Sequence, residues 1–164
     1  MNKLFVIMGV SGCGKSVISA ALAKRKGWPV LEADDYHTSD NIAKMSKGIP
    51  LTDQDREPWV DIICAAVKQT MSQSPVILAC SALTPMVQSR LRKGVKHPII
   101  WIWLDGCADL INQRLVARQG HFMPESLLAS QLHALTIPTG VIQIDIDQSV
   151  ECILDAIEAA IELK

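Results

Sequence analysis

The segment Gly9-Val10-Ser11-Gly12-Cys13-Gly14-Lys15-Ser16 fills every fixed position of G-x-x-x-x-G-K-[ST] and follows directly on the apolar run Leu4-Phe5-Val6-Ile7-Met8. The chemistry of that spacing is polyphosphate binding. Gly9, Gly12 and Gly14 let the backbone curl until several N–H groups point inward, Ser11 and Cys13 complete the cradle, and the helix that follows adds its positive end. Lys15 then reaches the β- and γ-phosphates, and the Ser16 hydroxyl binds the Mg²⁺ that bridges them.

Two further groups of residues carry chemistry. Glu32-Ala33-Asp34-Asp35-Tyr36-His37 closes the second apolar run. Alternation along a strand puts Glu32 and Asp34 on one side, Glu32 to reach Mg²⁺ through water and Asp34 to accept a hydroxyl proton as a general base. Arg114 and Arg118 stand four apart, hence on one helical face, ahead of Gln119-Gly120-His121-Phe122-Met123. Arginines there would neutralise charge on a phosphoryl group in transit, although on composition alone an arginine pair on a helix is more often a solvated face.

These residues need a frame, and the apolar pattern supplies one. The spacing predicts strands over 4–8, 30–33, 76–80, 99–104 and 141–146. It predicts helices over 17–26, stopped by Gly27, and over 41–47, 59–71, 87–92, 107–118 and 150–163. Alternation of strand and helix about five times requires parallel strands with right-handed crossovers and helices on both faces, so the expected class is α/β with three layers and a five-stranded parallel sheet. In such a sheet the ligand lies beyond the carboxyl ends of the strands, where the phosphate loop and Asp34 both fall. The helical stretch between the second and third strands reads as an insertion.

The chain has 164 residues, which predicts a single domain over 1–164. A net charge of −1 gives no electrostatic case for nucleic acid or an anionic membrane, and a small-molecule partner is favoured. No apolar stretch approaches the ~20 residues needed to span a bilayer, and Met1-Asn2-Lys3 runs straight into the first strand, so no membrane segment or signal peptide is expected. Cys13, Cys64, Cys80, Cys107 and Cys152 show no C-x-x-C pairing and read as reduced, cytoplasmic thiols.

Beyond the phosphate loop, a longer series stands in order through almost the whole chain. It runs Asp34-x-x-His37, Asn41-x-x-Lys44-Met45, Gly48-x-Pro50-Leu51-x-Asp53-x-Asp55-Arg56-x-Pro58-Trp59, Cys80-Ser81-Ala82-Leu83 and Arg114-x-x-x-Arg118-x-Gly120-His121-Phe122-Met123. The series resembles the gluconokinase family. The resemblance implies a P-loop kinase fold with a helical substrate-binding region over about 36–73 and a short lid over about 118–126. It implies ATP-dependent phosphorylation of D-gluconate on its 6-hydroxyl, with Mg²⁺, in a protein that is commonly a homodimer. By the same resemblance Asp34 and His37 face the sugar acid, and Arg118 and His121 belong to the lid, with Arg118 among the catalytic groups. Arg56 either contacts the substrate carboxylate or bridges to Asp53 or Asp55. Trp59 and Met45 are expected in the core of the helical region.

The sequence also departs from that pattern. Thr84-Pro85-Met86-Val87-Gln88 stands where the family carries a lysine, a second basic residue and then Tyr-Arg, so weaker carboxylate binding or a related sugar acid is the alternative expectation. A catalytically weakened, nucleotide-binding regulatory relative is a further alternative. The family's Asp-Gly-Asp is Glu32-Ala33-Asp34 here. Gln131 is retained after the lid helix but followed by Leu132 rather than Phe, and Pro138-Thr139-Gly140 makes a short connection to the last strand.

Overall fold

The computed structural model describes residues 2–118 and 125–164, with the side chains of residues 125 and 126 left aside. Its elements are β1 (Leu4–Met8), α1 (Lys15–Lys26), β2 (Val30–Glu32), a 3-10 turn (Ala33–Tyr36), α2 (Ser39–Ser46), α3 (Asp53–Thr70), β3 (Val76–Ala79), α4 (Pro85–Val95), β4 (Ile99–Asp105), α5 (Ala108–Ala117), α6 (Glu125–Ala134), β5 (Ile142–Asp145) and α7 (Val150–Glu162). The five strands are parallel in the order β2-β3-β1-β4-β5, which confirms the expected sheet.

The side-chain period of a strand builds the layers. On β1, Leu4, Val6 and Met8 point to one face and pack with Trp59, Val60, Ile63 and Val67 of α3 and Leu91 of α4. Phe5 and Ile7 point to the other face and meet Ile18 and Leu22 of α1, Ile111 of α5 and Ile153, Leu154 and Ile157 of α7. β1 is buried on both faces, as a central parallel strand must be. It therefore delivers the loop that follows it to a fixed point at the carboxyl edge of the sheet.

Three expectations need correction. The second strand ends at Glu32, and Ala33–Tyr36 form a 3-10 turn, so strand alternation does not place Asp34 beside Glu32. Helix α3 begins at Asp53, before Pro58, because Thr52 and Asp55 form a reciprocal capping box that starts it two turns early. Pro58 then removes one ladder hydrogen bond at an exposed position. Gln131 follows α5 but lies inside a further helix, α6, that the apolar pattern did not predict.

Candidate active site

The phosphate loop takes its shape from glycines at two tight places. Gly9 has φ +146°, and a Cβ there would sit 2.7 Å from Cys13 Sγ and 3.0 Å from the Leu104 carbonyl oxygen. Gly12 has φ +86°, and a Cβ there would fall 2.8 Å from Leu115 Cγ. Only glycine fits both the space and the backbone at these points. Gly9 lines neither cavity described below; it shapes the loop, and its N–H donates to the Ser81 carbonyl at 3.4 Å. Cys13 is buried beneath the loop. Gly14 caps α1, and the Lys15 ammonium curls back to donate to the Val10 carbonyl at 3.1 Å.

Two cavities open at the carboxyl edge of the sheet. The larger, about 600 Å³, is lined by Ser11 to Ser16 with Glu32, Asp34, Arg114, Arg118, Gln148 and Val150. The smaller, about 390 Å³, is lined by His37, Met45, Arg56, Trp59, Ser81 and Gln131, among others. Ser11, Lys15 and Asp34 line both. A phosphoryl donor in the first and an acceptor in the second would meet at those three residues.

The 3-10 turn that carries Asp34 is held from α3. Trp59, buried, donates its indole N–H to the Ala33 carbonyl at 2.7 Å and stacks on His37, with ring centroids 4.3 Å apart and planes inclined by 10°. Asn41, also buried, donates to the Asp55 carbonyl at 3.0 Å and approaches His37 Nδ1 at 3.5 Å. That contact leaves the ring proton on Nε2, 3.7 Å from Asp34 Oδ1. Burial pushes the His37 pKa below its ordinary value of 6.5, against the pull of Asp34, and Arg56 lowers it further. At neutral pH His37 thus lines the smaller cavity as a neutral imidazole.

A neutral, buried histidine makes stability depend on pH. The unfolded chain takes up the proton near pH 6.5, whereas the folded chain does so only at lower pH, so stability is full above about 6.5 and falls as the pH drops toward the folded value. Chemical unfolding at pH 7.5 and 5.5 should show a larger acid-side loss for the wild type than for His37→Gln; equal losses would disprove the effect.

Glu32 is half-buried and accepts a hydrogen bond from Ser16 Oγ at 3.0 Å. Burial, more than the neighbouring Asp34 and Asp35, raises its pKa from 4.5, while the Ser16 bond opposes the rise. Arg56 is not free: it donates to Asp53 Oδ1 at 3.2 Å, and the Thr84 hydroxyl donates to the same oxygen at 3.0 Å. Asp55 is engaged elsewhere, because the Lys44 ammonium at 2.9 Å and the Thr52 cap hold its carboxyl at about 2. Of the open alternatives for Arg56, the bridge to Asp53 is therefore present, with the guanidinium still lining the smaller cavity. Burial pushes the Cys80 thiol up to about 12, which removes it as a nucleophile.

The remaining expected groups divide. Met45 lines the smaller cavity and is not core. Arg118 lines the larger cavity, but Arg114 is tied to the Ile146 carbonyl at 2.8 Å and so anchors α5 to the end of β5. His121, with the segment 119–124, lies outside the described residues. Nothing in the local pattern assigns Gln131 a role, yet its carboxamide reaches the phosphate loop.

A phosphate loop at the head of a central parallel strand, with an acceptor cavity sharing its lysine, defines a phosphotransferase of the P-loop kinase class. The family model described as "AAA domain" matches residues 4–138. The "Probable gluconokinase" of Xenopus tropicalis is 37% identical, over 98% of this chain and 94% of that protein. The "Thermosensitive gluconokinase" of Escherichia coli (strain K12) is 36% identical, over 96% of this chain and 86% of that protein. The crystal structure of a gluconokinase from Sinorhizobium meliloti 1021 superposes with a TM-score of 0.87 at 38% identity, covering 98% of this chain and 91% of that one. This chain belongs to the gluconokinase family.

Proposed function

We propose that the protein transfers the γ-phosphoryl group of ATP to the 6-hydroxyl of D-gluconate. The observation that carries this reading is the sharing of Ser11, Lys15 and Asp34 by the two cavities, within a chain of this family. ATP lies along Gly9 to Ser16, with Arg118 near its phosphates. Gluconate lies against Asp34, His37 and Arg56. The acceptor oxygen attacks the γ-phosphorus in line, the bond to the bridging oxygen breaks toward ADP, and Asp34 receives the hydroxyl proton. Lys15 balances the charge that moves onto the phosphates, and neutral His37 donates to a sugar hydroxyl. Arg56, aimed by Asp53, receives the carboxylate; the Thr84 position supplies a hydroxyl for that aim where the family carries a lysine.

Ser16 and Glu32 fit Mg²⁺. An exposed hydroxyl already 3.0 Å from a half-buried carboxylate suits an ion that takes few protein ligands and completes its shell with water and phosphate. When bound, Mg²⁺ neutralises phosphate charge. Glu32→Gln is expected to raise the Mg²⁺ concentration for half-maximal activity by about 10–100-fold, the scale for losing an outer-shell partner, with kcat at saturating Mg²⁺ little changed. A Mg²⁺ titration that overlays the wild type would remove Glu32 from this role.

Within a single domain over 1–164, residues 36–73 serve as the acceptor region and 118–126 as the lid. The five free cysteines, two of them exposed, accord with a reducing cytoplasm, and no helix among the described residues is long and apolar enough to cross a membrane. Assembly is homodimeric, as family resemblance suggests.

ADP release measured with ATP, Mg²⁺ and a panel of gluconate, other aldonates, shikimate and nucleoside monophosphates tests the reading. Gluconate should be turned over at ordinary kinase rates. Preference for another aldonate would correct the substrate, and ATP binding without turnover of any acceptor would overturn the catalytic reading.

A further inference from the structure

The contact between Gln131 and Ser11 joins residues 120 positions apart at the seam between the two cavities. The Ser11 backbone N–H donates to Gln131 Oε1 at 2.8 Å, and Gln131 Nε2 donates to Ser11 Oγ at 3.3 Å. A backbone N–H has no acceptor capacity, so it must face the carboxamide oxygen, and this fixes which end of the amide meets the hydroxyl. A hydroxyl oxygen that accepts from Gln131 points its own hydrogen elsewhere. Among the described residues no protein group takes that hydrogen, and the side chain lines both cavities.

We propose that Gln131 is a positioning residue that turns the Ser11 hydroxyl into a hydrogen-bond donor toward the phosphoryl group in transit. The inference rests on the kinase reading above. Negative charge on the equatorial phosphoryl oxygens and the bridging oxygen is largest midway through transfer, where a preorientated donor contributes most. No proton leaves Ser11; the hydroxyl only donates a hydrogen bond, while the acceptor proton goes to Asp34. Gln131 sits on α6, packed against the loop from the acceptor side, so one carboxamide sets both the loop N–H and the loop hydroxyl.

Ser11→Ala, Gln131→Met and the double variant test it in the full chain, with unfolding midpoints checked for each. Methionine keeps the volume of glutamine while removing both bonds. Ser11→Ala is expected to lower kcat by about 10²-fold, the scale for one transition-state donor, with the KM values for ATP and acceptor nearly unchanged. Gln131→Met should fall by a similar factor, and the double variant by no more than the worse single one. Gln131→Glu is the discriminating case. A carboxylate only accepts, so it would take both the Ser11 N–H and the Ser11 O–H, consuming the hydrogen, and kcat should fall as in Ser11→Ala. Each rate is read both with the acceptor the wild type turns over and as ATP hydrolysis by water. Failure of the wild type on gluconate thus overturns only the substrate assignment. Additive losses, recovery of wild-type kcat by glutamate, or kcat within twofold for Gln131→Met would overturn the role of Gln131.

Discussion

Asp34→Asn is expected to lower kcat by about 10²–10⁴-fold, the span that a positioned acid or base contributes, while leaving ATP affinity at its wild-type value. Asparagine keeps the shape of the side chain at the seam between the cavities, but it accepts no proton from the incoming hydroxyl. The proton is lost late in a loose phosphoryl transfer, so part of the effect comes from orientation of the acceptor oxygen, and the rate does not fall to that of free ATP. The Asp34 side chain is 85% exposed, contributes to no core contact, and so the substitution should leave the unfolding midpoint unchanged. Nucleotide binding by calorimetry and single-turnover transfer separate the two effects. An unaltered rate would remove Asp34 as the base, and a loss of ATP affinity of the same size would make it a nucleotide ligand instead.

Trp59→Ala should destabilise the protein by about 3–5 kcal/mol, the usual range for deleting a large buried ring. At about 2–4 °C per kcal/mol for a chain of this size, the unfolding midpoint should drop by roughly 6–20 °C. The ring does more than fill space. It fixes the turn bearing Asp34 through the bond to Ala33 and holds His37 flat against itself, so both acceptor contacts loosen together. We expect kcat/KM for gluconate to fall by about 10²-fold, the scale of an ångström of misplacement, with ATP affinity retained below the lowered midpoint. Trp59→Phe keeps a stacking ring but leaves the Ala33 carbonyl without its donor, and should cost about 1–3 kcal/mol. A cost near zero for phenylalanine would show that packing alone accounts for Trp59, and a cost below ~1 kcal/mol for alanine would remove it as the anchor of the turn.

The stretch where the sequence leaves the family pattern is structural in this chain. Thr84 caps α4 through the Val87 N–H and holds Asp53, which in turn aims Arg56. Gln88 is buried and donates to the carbonyls of Ala82 and Thr136 at 3.0 and 2.7 Å, tying the exit of β3 to the short connection before β5. Ala82, at φ +44°, is held in a left-handed conformation by that bond. At Thr84 a neutral hydroxyl thus holds Asp53, the partner of a cation already present, Arg56. This favours a lower affinity for the acid over an inactive protein.

Much of this molecule was legible from local pattern. The phosphate loop could be read because its chemistry needs particular residue types at fixed spacing next to a strand, and the parallel sheet because buried strands are continuous apolar runs. Asp34, Lys15 and Ser16 stand where that reading put them, at the carboxyl edge of the sheet. Other assignments turned on partners distant in the chain. No spacing shows that Arg114 is spent on Ile146 while Arg118 lines the larger cavity, or that Arg56 is held by Asp53 and not Asp55. Asp34 reaches its place through a 3-10 turn pinned by Trp59, and not by strand alternation. Local sequence sets the backbone and its elements, since dihedral preferences and apolar periodicity act within a few residues. Hydrogen-bond choice among several donors and acceptors is settled only when folding brings them together, and so the pairing of Gln131 with Ser11, 120 residues apart, belonged to the tertiary structure alone.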